Sequence, residues 1–176
     1  MKRLITLFIA IIALGTLSAQ ETYRFRTDQT QGFSVESSTE TALSLHYSIA
    51  EISISNLQYG DAEGQEIILK GCFASNGEGT PNLPFENRYI AVPRGAKVSV
   101  EVEEKASQTL QGIKLLPAAP LQMNNEDRTP ALHWDMSVFS TDANYPSENV
   151  TVAQTTQIRG LDVVLLNVTP FRYNPV

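Results

Sequence analysis

The sequence predicts an all-β fold, an antiparallel β-sandwich of the jelly-roll type. Apolar and polar residues alternate with a period of two in several stretches, most clearly at Leu43–Tyr47 and Lys97–Val102. Such stretches recur at intervals of roughly ten residues, separated by turns rich in Gly, Pro and polar residues, as in sandwich domains. After residue 19, no run of ordinary helical length shows the 3.6-residue period of a helix.

Residues 1–19 have the layout of a secretory signal peptide. Lys2 and Arg3 form a basic start, Leu4–Leu14 is almost wholly apolar, and small residues lead to Ala19. The alternative is a membrane anchor, but the apolar run falls short of the ~20 residues that cross a bilayer. No cysteine stands at the junction, so the lipoprotein route is excluded. We therefore predict cleavage after export, giving a secreted or periplasmic protein.

Composition sets limits on size and partners. Removing 19 residues from 176 leaves 157, a length that suits one domain. Without Lys2 and Arg3, 11 basic residues face 19 acidic ones, a net charge of −8. Such an acidic chain argues against nucleic acid and, after signal cleavage, against membranes as partners.

The sequence has a single cysteine, Cys72, so no internal disulfide can form. A catalytic cysteine needs an adjacent base, and His46 and His133 are distant in sequence. We interpret Cys72 as a small buried hydrophobe at a strand end. No motif in the sequence predicts a metal or a cofactor.

The first strands follow from local patterning. Residues 20–41 are polar without a sustained period, and we expect a loose segment there or one edge strand at Thr22–Arg26. Alternation from Ala42 to Leu57 predicts a strand, with a bulge where Ile49 breaks the phase. A turn precedes a further strand at Glu66–Phe73.

The remaining strands are predicted at 85–92, 97–102, 107–116, 132–139, 150–158 and 162–168. The last contains the continuous apolar run Val163–Leu166, which favours a central strand covered on both faces. Between them, Leu116–Pro130 contains three prolines and a polar run, which predicts a long surface loop. Loops of this length are often functional.

Gly79–Phe85 contains two prolines three residues apart. Pro81 and Pro84 have a fixed φ near −65° and cannot donate ladder hydrogen bonds. We predict a stiff, extended edge segment that leads into the strand after Phe85.

The same residues show a resemblance to a known family. One half of it is Gly79-Thr80-Pro81 with Leu83-Pro84, followed by a strand, a turn and the strand Lys97–Val102. The other half is Arg159-Gly160, an apolar strand and an ending that contains Tyr173-Asn174-Pro175. In this order and separation, the motifs resemble the N-terminal propeptide of the gingipain-type, caspase-like (C25) cysteine peptidases of bacteria.

The resemblance implies a pro-domain, with residues 42–176 as its β-domain. Such a domain is made in one chain with a caspase-like peptidase, keeps it latent by covering the active-site cleft, and is then cut away. Assistance to folding is a further expectation. By itself the chain would be no enzyme. Residues after Arg172 indicate a turn into another strand, so we expect a sandwich that lacks its last strand and a C-terminally truncated chain.

The resemblance also aligns Leu116–Pro130 with the family's inhibitory loop. The candidate residues in it are Met123, Asn124, Asn125 and Arg128. The family places a basic residue at the position of Asn124, whereas Arg128 is the nearest basic residue here. Either Arg128 occupies the specificity pocket or the cognate peptidase does not prefer Arg or Lys. The loop is alternatively a solvated connector.

A rival interpretation is a secreted or cell-surface binding module of the carbohydrate or adhesin type. An exposed pair of Trp134 and Tyr145 on a sheet face would favour it. A lone tryptophan flanked by Leu132 and Met136 fits a core position better.

Overall fold

The computed structural model describes residues 20–74, 76–120 and 131–176. The predicted signal peptide and the four loop candidates lie outside these ranges. Regular structure in the described ranges is almost all antiparallel β, which confirms the predicted fold class; the jelly-roll detail stays a prediction. The elements are β1 Glu21–Arg24, β2 Gly32–Ser38, β3 Leu43–Ser48, β4 Glu51–Tyr59, β5 Ala62–Ile68, β6 Glu86–Ala91, α1 Met136–Phe139, β7 Val150–Val152, β8 Thr156–Ile158 and β9 Leu161–Val168.

These strands form three sheets within the described ranges. One has the order β1-β4-β5, the second is the β2-β3 hairpin, and the third has the order β6-β9-β7 with β8 also on β9. In β4, Ile52 and Ile54 are 3% and 2% exposed, and the serines between and after them lie on the opposite face. The alternation of apolar and polar residues in the sequence thus corresponds to the buried and half-exposed faces of the strand.

The predicted strand from Ala42 to Leu57 is two strands. β3 and β4 belong to different sheets, and Ile49-Ala50 connects them. The change of phase at Ile49 therefore marks a switch between sheets, and the bulge prediction there is wrong. An irregularity of pairing occurs instead in β2, between Val35 and Ser37.

Residues 20–41 are not loose. They contain β1, close to the alternative edge strand at Thr22–Arg26, and β2, which pairs along its length with β3. The second half of β2 is exposed on both faces. Because neither face is buried there, no hydrophobic period reveals the strand in the sequence.

β9 is a central strand, as predicted. It pairs with β6 on one side and with β7 and β8 on the other. The successive residues Val163 and Val164 are 6% and 2% exposed, so both faces of the strand are covered. The single strand predicted over 150–158 is in fact the two short strands β7 and β8.

Four other strand predictions are wrong in whole or in part. Residues 97–102 and nearly all of 107–116 form no ladder with the described residues. Alternation shows that a segment has two different faces, but a ladder also needs a free partner edge. The stretch predicted as a strand at 132–139 ends in α1. The strand predicted at Glu66–Phe73 begins earlier, at Ala62, and ends at Ile68.

The segment Gly79–Phe85 lies in the core, so its prediction as an edge segment is wrong. Leu83 is 0% exposed, and Pro81 and Pro84 are also fully buried. Burial is possible because the backbone groups between the prolines find partners. The amide of Asn82 donates to the carbonyl of Leu116 at 3.3 Å, and Phe85 pairs with Phe73 in both directions at 2.8 and 3.1 Å.

Candidate functional site

The two parts of the chain that flank residues 121–130 meet at one glycine, Gly79. We call the part that leads up to Pro120 the first arm and the part that begins at Ala131 the second arm. The N–H of Gly79 donates to the carbonyl of Ala118 at 3.1 Å, and the carbonyl of Gly79 accepts from the N–H of Asp135 at 3.0 Å. The N–H of Ala118 donates to the carbonyl of Thr80 at 2.8 Å. We call these four residues the loop clamp, since they tie both ends of the predicted inhibitory loop to the dipeptide Gly79-Thr80, of which Gly79 is buried.

The clamp requires glycine at position 79. Its φ is +84°, a conformation that residues with a side chain rarely adopt. A β-carbon built there would lie 2.7 Å from Cδ2 of His133 and 3.3 Å from the amide nitrogen of Asp135. A side chain at this position would therefore force the His133 ring to move and the backbone at Asp135 to shift by a few tenths of an ångström.

The first arm is buried before it reaches the loop. Leu115–Ala118 is 1–3% exposed at its Leu and Ala residues, and Leu116 accepts from Asn82 and donates to the carbonyl of Gln65 at 3.2 Å. The arm thus runs between β5 and the proline motif. The surface loop predicted from Leu116 onward therefore does not begin at Leu116, because residues 116–118 belong to the core.

The second arm ends in a capped turn. Asp135 is the N-cap of α1, where its carboxylate accepts from the N–H of Ser137 at 3.0 Å and from its hydroxyl at 2.6 Å. The Ser137 hydroxyl, and next its amide, hold the pKa of Asp135 below its ordinary value. This capped turn fixes the direction in which the chain leaves the loop.

The second half of the family motif lies against α1. Tyr173 and Tyr145 exchange backbone hydrogen bonds at 2.8 and 2.9 Å, and the side chain of Asn174 donates to Asp142 at 2.7 Å. The ring of Phe139 contacts Tyr173 edge-on at 6.4 Å between centroids. The chain ending therefore braces the helix that follows the loop.

Trp134 belongs to the same aromatic cluster. It is half-buried and meets Phe139 at 4.6 Å in an edge-on contact. Tyr145 is also half-buried. These two residues do not form the exposed aromatic pair that a carbohydrate-binding or adhesin-like module would need.

A groove of about 530 Å³ opens at the root of the first arm. Polar side chains such as Asn76 and Glu78 line it, together with alanines and Pro120. Asn76 donates to the side chain of Asn82 at 3.2 Å and to the carbonyl of Leu83 at 2.8 Å, which fixes the groove wall to the motif. Its described lining includes neither a thiol nor an imidazole.

The thiol of Cys72 is half-buried and faces a phenol. Its Sγ lies 3.5 Å from the hydroxyl of Tyr47. Burial raises the pKa of Cys72, the Tyr47 hydrogen bond opposes this, and the charge of Glu86 adds to it. A raised pKa is the opposite of what a nucleophilic cysteine needs. His46, meanwhile, has Glu36 as its neighbour, with 3.8 Å between Nδ1 and Oε1.

The residues that the structure describes contain neither a metal-binding cluster nor a membrane-spanning helix. No set of three or more His, Cys, Asp or Glu side chains there is arranged to hold a metal ion. No helix in those ranges is long and apolar enough to cross a bilayer.

The structure brings the residues of the first motif half together and places Tyr173, in the second half, against Phe139 of α1. The first half is Gly79, Thr80, Pro81, Leu83 and Pro84; the second is Tyr173, Asn174 and Pro175. The loop candidates Met123, Asn124, Asn125 and Arg128 lie outside the described residues. Sequence reasoning missed Ala118 and Asp135. An Asp-x-Ser cap signal marks Asp135, but nothing local marks Ala118.

Two solved structures share this fold. A structure from work on the zymogenic latency of gingipain K of Porphyromonas gingivalis matches with a TM-score of 0.76 and 18% identity, over 89% of each chain. A complex of P. gingivalis RgpB pro- and mature domains matches with a TM-score of 0.67 and 19% identity, over 84% of this chain and 77% of that one. By fold, then, the chain is an all-β domain of the class found in these gingipain structures.

The family follows from sequence. The Propeptide_C25 family model matches residues 25–176, and the chain belongs to that family. Gingipain R2 of P. gingivalis is 24% identical over 188 residues, an alignment that spans the whole of this chain and 24% of gingipain R2. The chain thus spans about a quarter of that relative. The predicted resemblance is confirmed, and so is the prediction that these residues are propeptide and not peptidase.

Proposed function

We propose that this chain keeps a gingipain-type cysteine peptidase latent by covering its active-site cleft with the segment between Ala118 and Asp135. Membership of the Propeptide_C25 family supports the partner class. The gingipain K structure comes from a study of zymogenic latency, and RgpB was solved with its pro- and mature domains together. The observation that carries the proposal is the loop clamp.

The clamp gives a physical reason for inhibition. A protein inhibitor binds tightly when its loop is already held near the bound geometry, because less conformational entropy is lost on association. Gly79 joins both arms, one side of it to Ala118 and the other to Asp135. A standard interface of about 1,600 Å² would suffice for stable association. Linkage in one chain with the peptidase would add a high effective concentration until cleavage.

The pocket residue is part of the proposal. We assign the cationic contact to Arg128 and a neutral contact to Asn124, since Arg128 has the charge that an acidic specificity pocket would bind. Export through the N-terminal segment, to a secreted or periplasmic location, and assistance to folding of the peptidase complete the proposed function.

The test is inhibition of a purified gingipain-type peptidase by the purified chain. Its own peptidase is the preferred target. We expect inhibition at or below micromolar concentration, weakened when Met123–Arg128 is replaced by Gly-Ser repeats. Arg128→Ala should raise the inhibition constant more than Asn124→Ala. Arg94→Ala is the matched control, because it removes an exposed arginine from a turn outside the loop.

Three outcomes would count against the proposal or a part of it. A chain that unfolds cooperatively yet leaves the peptidase fully active at micromolar concentration would refute latency. Undiminished inhibition by the Gly-Ser variant would remove the loop from the mechanism. Equal effects of the Arg128 and Asn124 variants would overturn the pocket assignment alone.

A further inference from the structure

One long segment of the described chain has the features of a strand without a partner strand. Residues 96–111 contain neither a helix nor a turn nor a bend. Within the described ranges, the main-chain groups of Lys97–Gln111 make no hydrogen bond to other main-chain groups. Such a segment offers a row of free donors and acceptors, the property of a sheet edge that recruits another strand.

The side chains of this segment alternate strictly at its start. In an extended backbone, Val98, Val100 and Val102 share one face; they are 42%, 42% and 61% exposed. Lys97, Ser99, Glu101 and Glu103 share the other face, and all are exposed. Exposed valines on a strand-like segment are costly in water and indicate a surface that is covered in the working protein.

The segment is tied to the domain just beyond these residues. Nζ of Lys105 lies 3.5 Å from Oε1 of Glu36 in β2, and Nη1 of Arg172 lies 3.7 Å from Oε2 of Glu104. These ion pairs hold one end of the segment against the body. The stretch Lys97–Glu103 before them makes no ion pair with the described residues.

We propose that Lys97–Glu103 pairs antiparallel with the same residues of a second copy of this chain, around a two-fold axis at Val100. Residues directly opposite in an antiparallel pair share a face. In this register the three valines face the three valines of the second copy, Val98 against Val102 and Val100 against Val100. On the other face, Lys97 lies opposite Glu103 and Ser99 opposite Glu101.

Neighbouring registers of the two copies are less favourable than the register at Val100. A two-fold axis at Glu101 sets Lys97 against Lys105 and Val98 against Glu104. A two-fold axis at Ser99 leaves Val102 opposite Ala96, so that two valine pairs form instead of three. The register at Val100 places opposite charges and apolar residues together on both faces, and each such cross-strand pair is favourable.

The geometry predicts a weak, symmetric dimer. Seven residues span roughly 24 Å of strand, and a two-stranded pairing alone is of marginal stability in water. A two-fold contact of this kind is self-complementary, so it closes at two copies and does not propagate. We therefore expect the fraction of chains in the dimer to rise with the concentration of the chain.

The experiment is sedimentation equilibrium of the full chain and charge-reversal variants. Lys97→Glu or Glu103→Lys alone should weaken association about tenfold or more, because each converts two cross-strand pairs into like-charge pairs. The double variant Lys97→Glu/Glu103→Lys should restore it, since every pair is again of opposite charge. Glu40→Lys, the same change at an exposed site outside the segment, should leave association unchanged.

Val100→Pro is an independent test, since proline removes a ladder donor at the axis. Far-ultraviolet circular dichroism and urea unfolding establish that each variant is folded. A wild-type chain that stays monomeric up to millimolar concentration overturns the proposal, as does a double variant no stronger than the singles. If the chain is monomeric and Lys97→Glu weakens its inhibition of the peptidase, then Lys97–Glu103 contacts the peptidase and not a second copy. That result also overturns the proposed dimer.

Discussion

Gly79 and His133 are in contact across the base of the predicted inhibitory loop. A β-carbon on Gly79 would lie 2.7 Å from Cδ2 of His133, closer than real side chains approach. Glycine at this position therefore permits the second arm to lie against the proline motif. The same residue accepts from the N–H of Asp135 at 3.0 Å, so contact and hydrogen bond act together.

Gly79→Ala should destabilise the fold by more than conformational strain alone. An L-residue in the left-handed region costs about 1–2 kcal/mol, and overlap in a packed site adds about 1–3 kcal/mol. Urea unfolding would measure the sum. Gly95→Ala is the control, since Gly95 has a φ of +72° but nothing within 4 Å of the added carbon. Equal losses in the two variants would show that the contact with His133 has no energetic weight.

Leu83→Ala should be among the most destabilising substitutions in the domain. The side chain is 0% exposed, and removing a fully buried leucine side chain costs about 2–5 kcal/mol. Leu161→Ala is the matched control, because Leu161 is 62% exposed. Thermal or urea unfolding should separate the two clearly. A Leu83 variant as stable as the Leu161 variant would contradict the position of the motif in the core.

Alkylation of Cys72 should be slow at neutral pH. Burial raises the pKa of the thiol, so less thiolate is present than in an ordinary cysteine. The rate with iodoacetamide should rise at higher pH than for a free thiol, and the chain unfolded in urea serves as the control. Tyr47→Phe should shift the profile further up, since the Tyr47 hydrogen bond lowers the pKa. A shift to lower pH in this variant would exclude that hydrogen bond.

Asp135 should make stability depend on pH. Its folded-state pKa is lowered by Ser137, so its contribution is present above the unfolded pKa and is lost as pH falls through the folded pKa. Asp135→Asn keeps an acceptor for the cap but does not titrate. Between neutral and acidic pH, the urea midpoint of the wild type should therefore fall further than that of the variant. If the urea midpoints of the wild type and of Asp135→Asn fall by the same amount between neutral and acidic pH, the cap is not formed.

Some strands were readable from the sequence and others were not, for physical reasons. β9 was predicted because a run of buried residues on both faces leaves a continuous apolar signal. β2 was missed because its exposed half has no apolar face. The valines at 98–102 predicted a strand that does not form, because alternation does not reveal whether a partner edge is free.

The sequence by itself determined the fold class, the central position of β9 and membership of the propeptide family. These follow from periodicity along the chain and from motifs in a given order. The tertiary structure alone decided that the motif around Leu83 is buried and that Gly79 joins Ala118 to Asp135. Those contacts link backbone groups far apart in sequence, and backbone N–H and C=O groups are the same in every residue except proline. The identity of a residue therefore does not indicate which backbone groups will be hydrogen-bonded to each other.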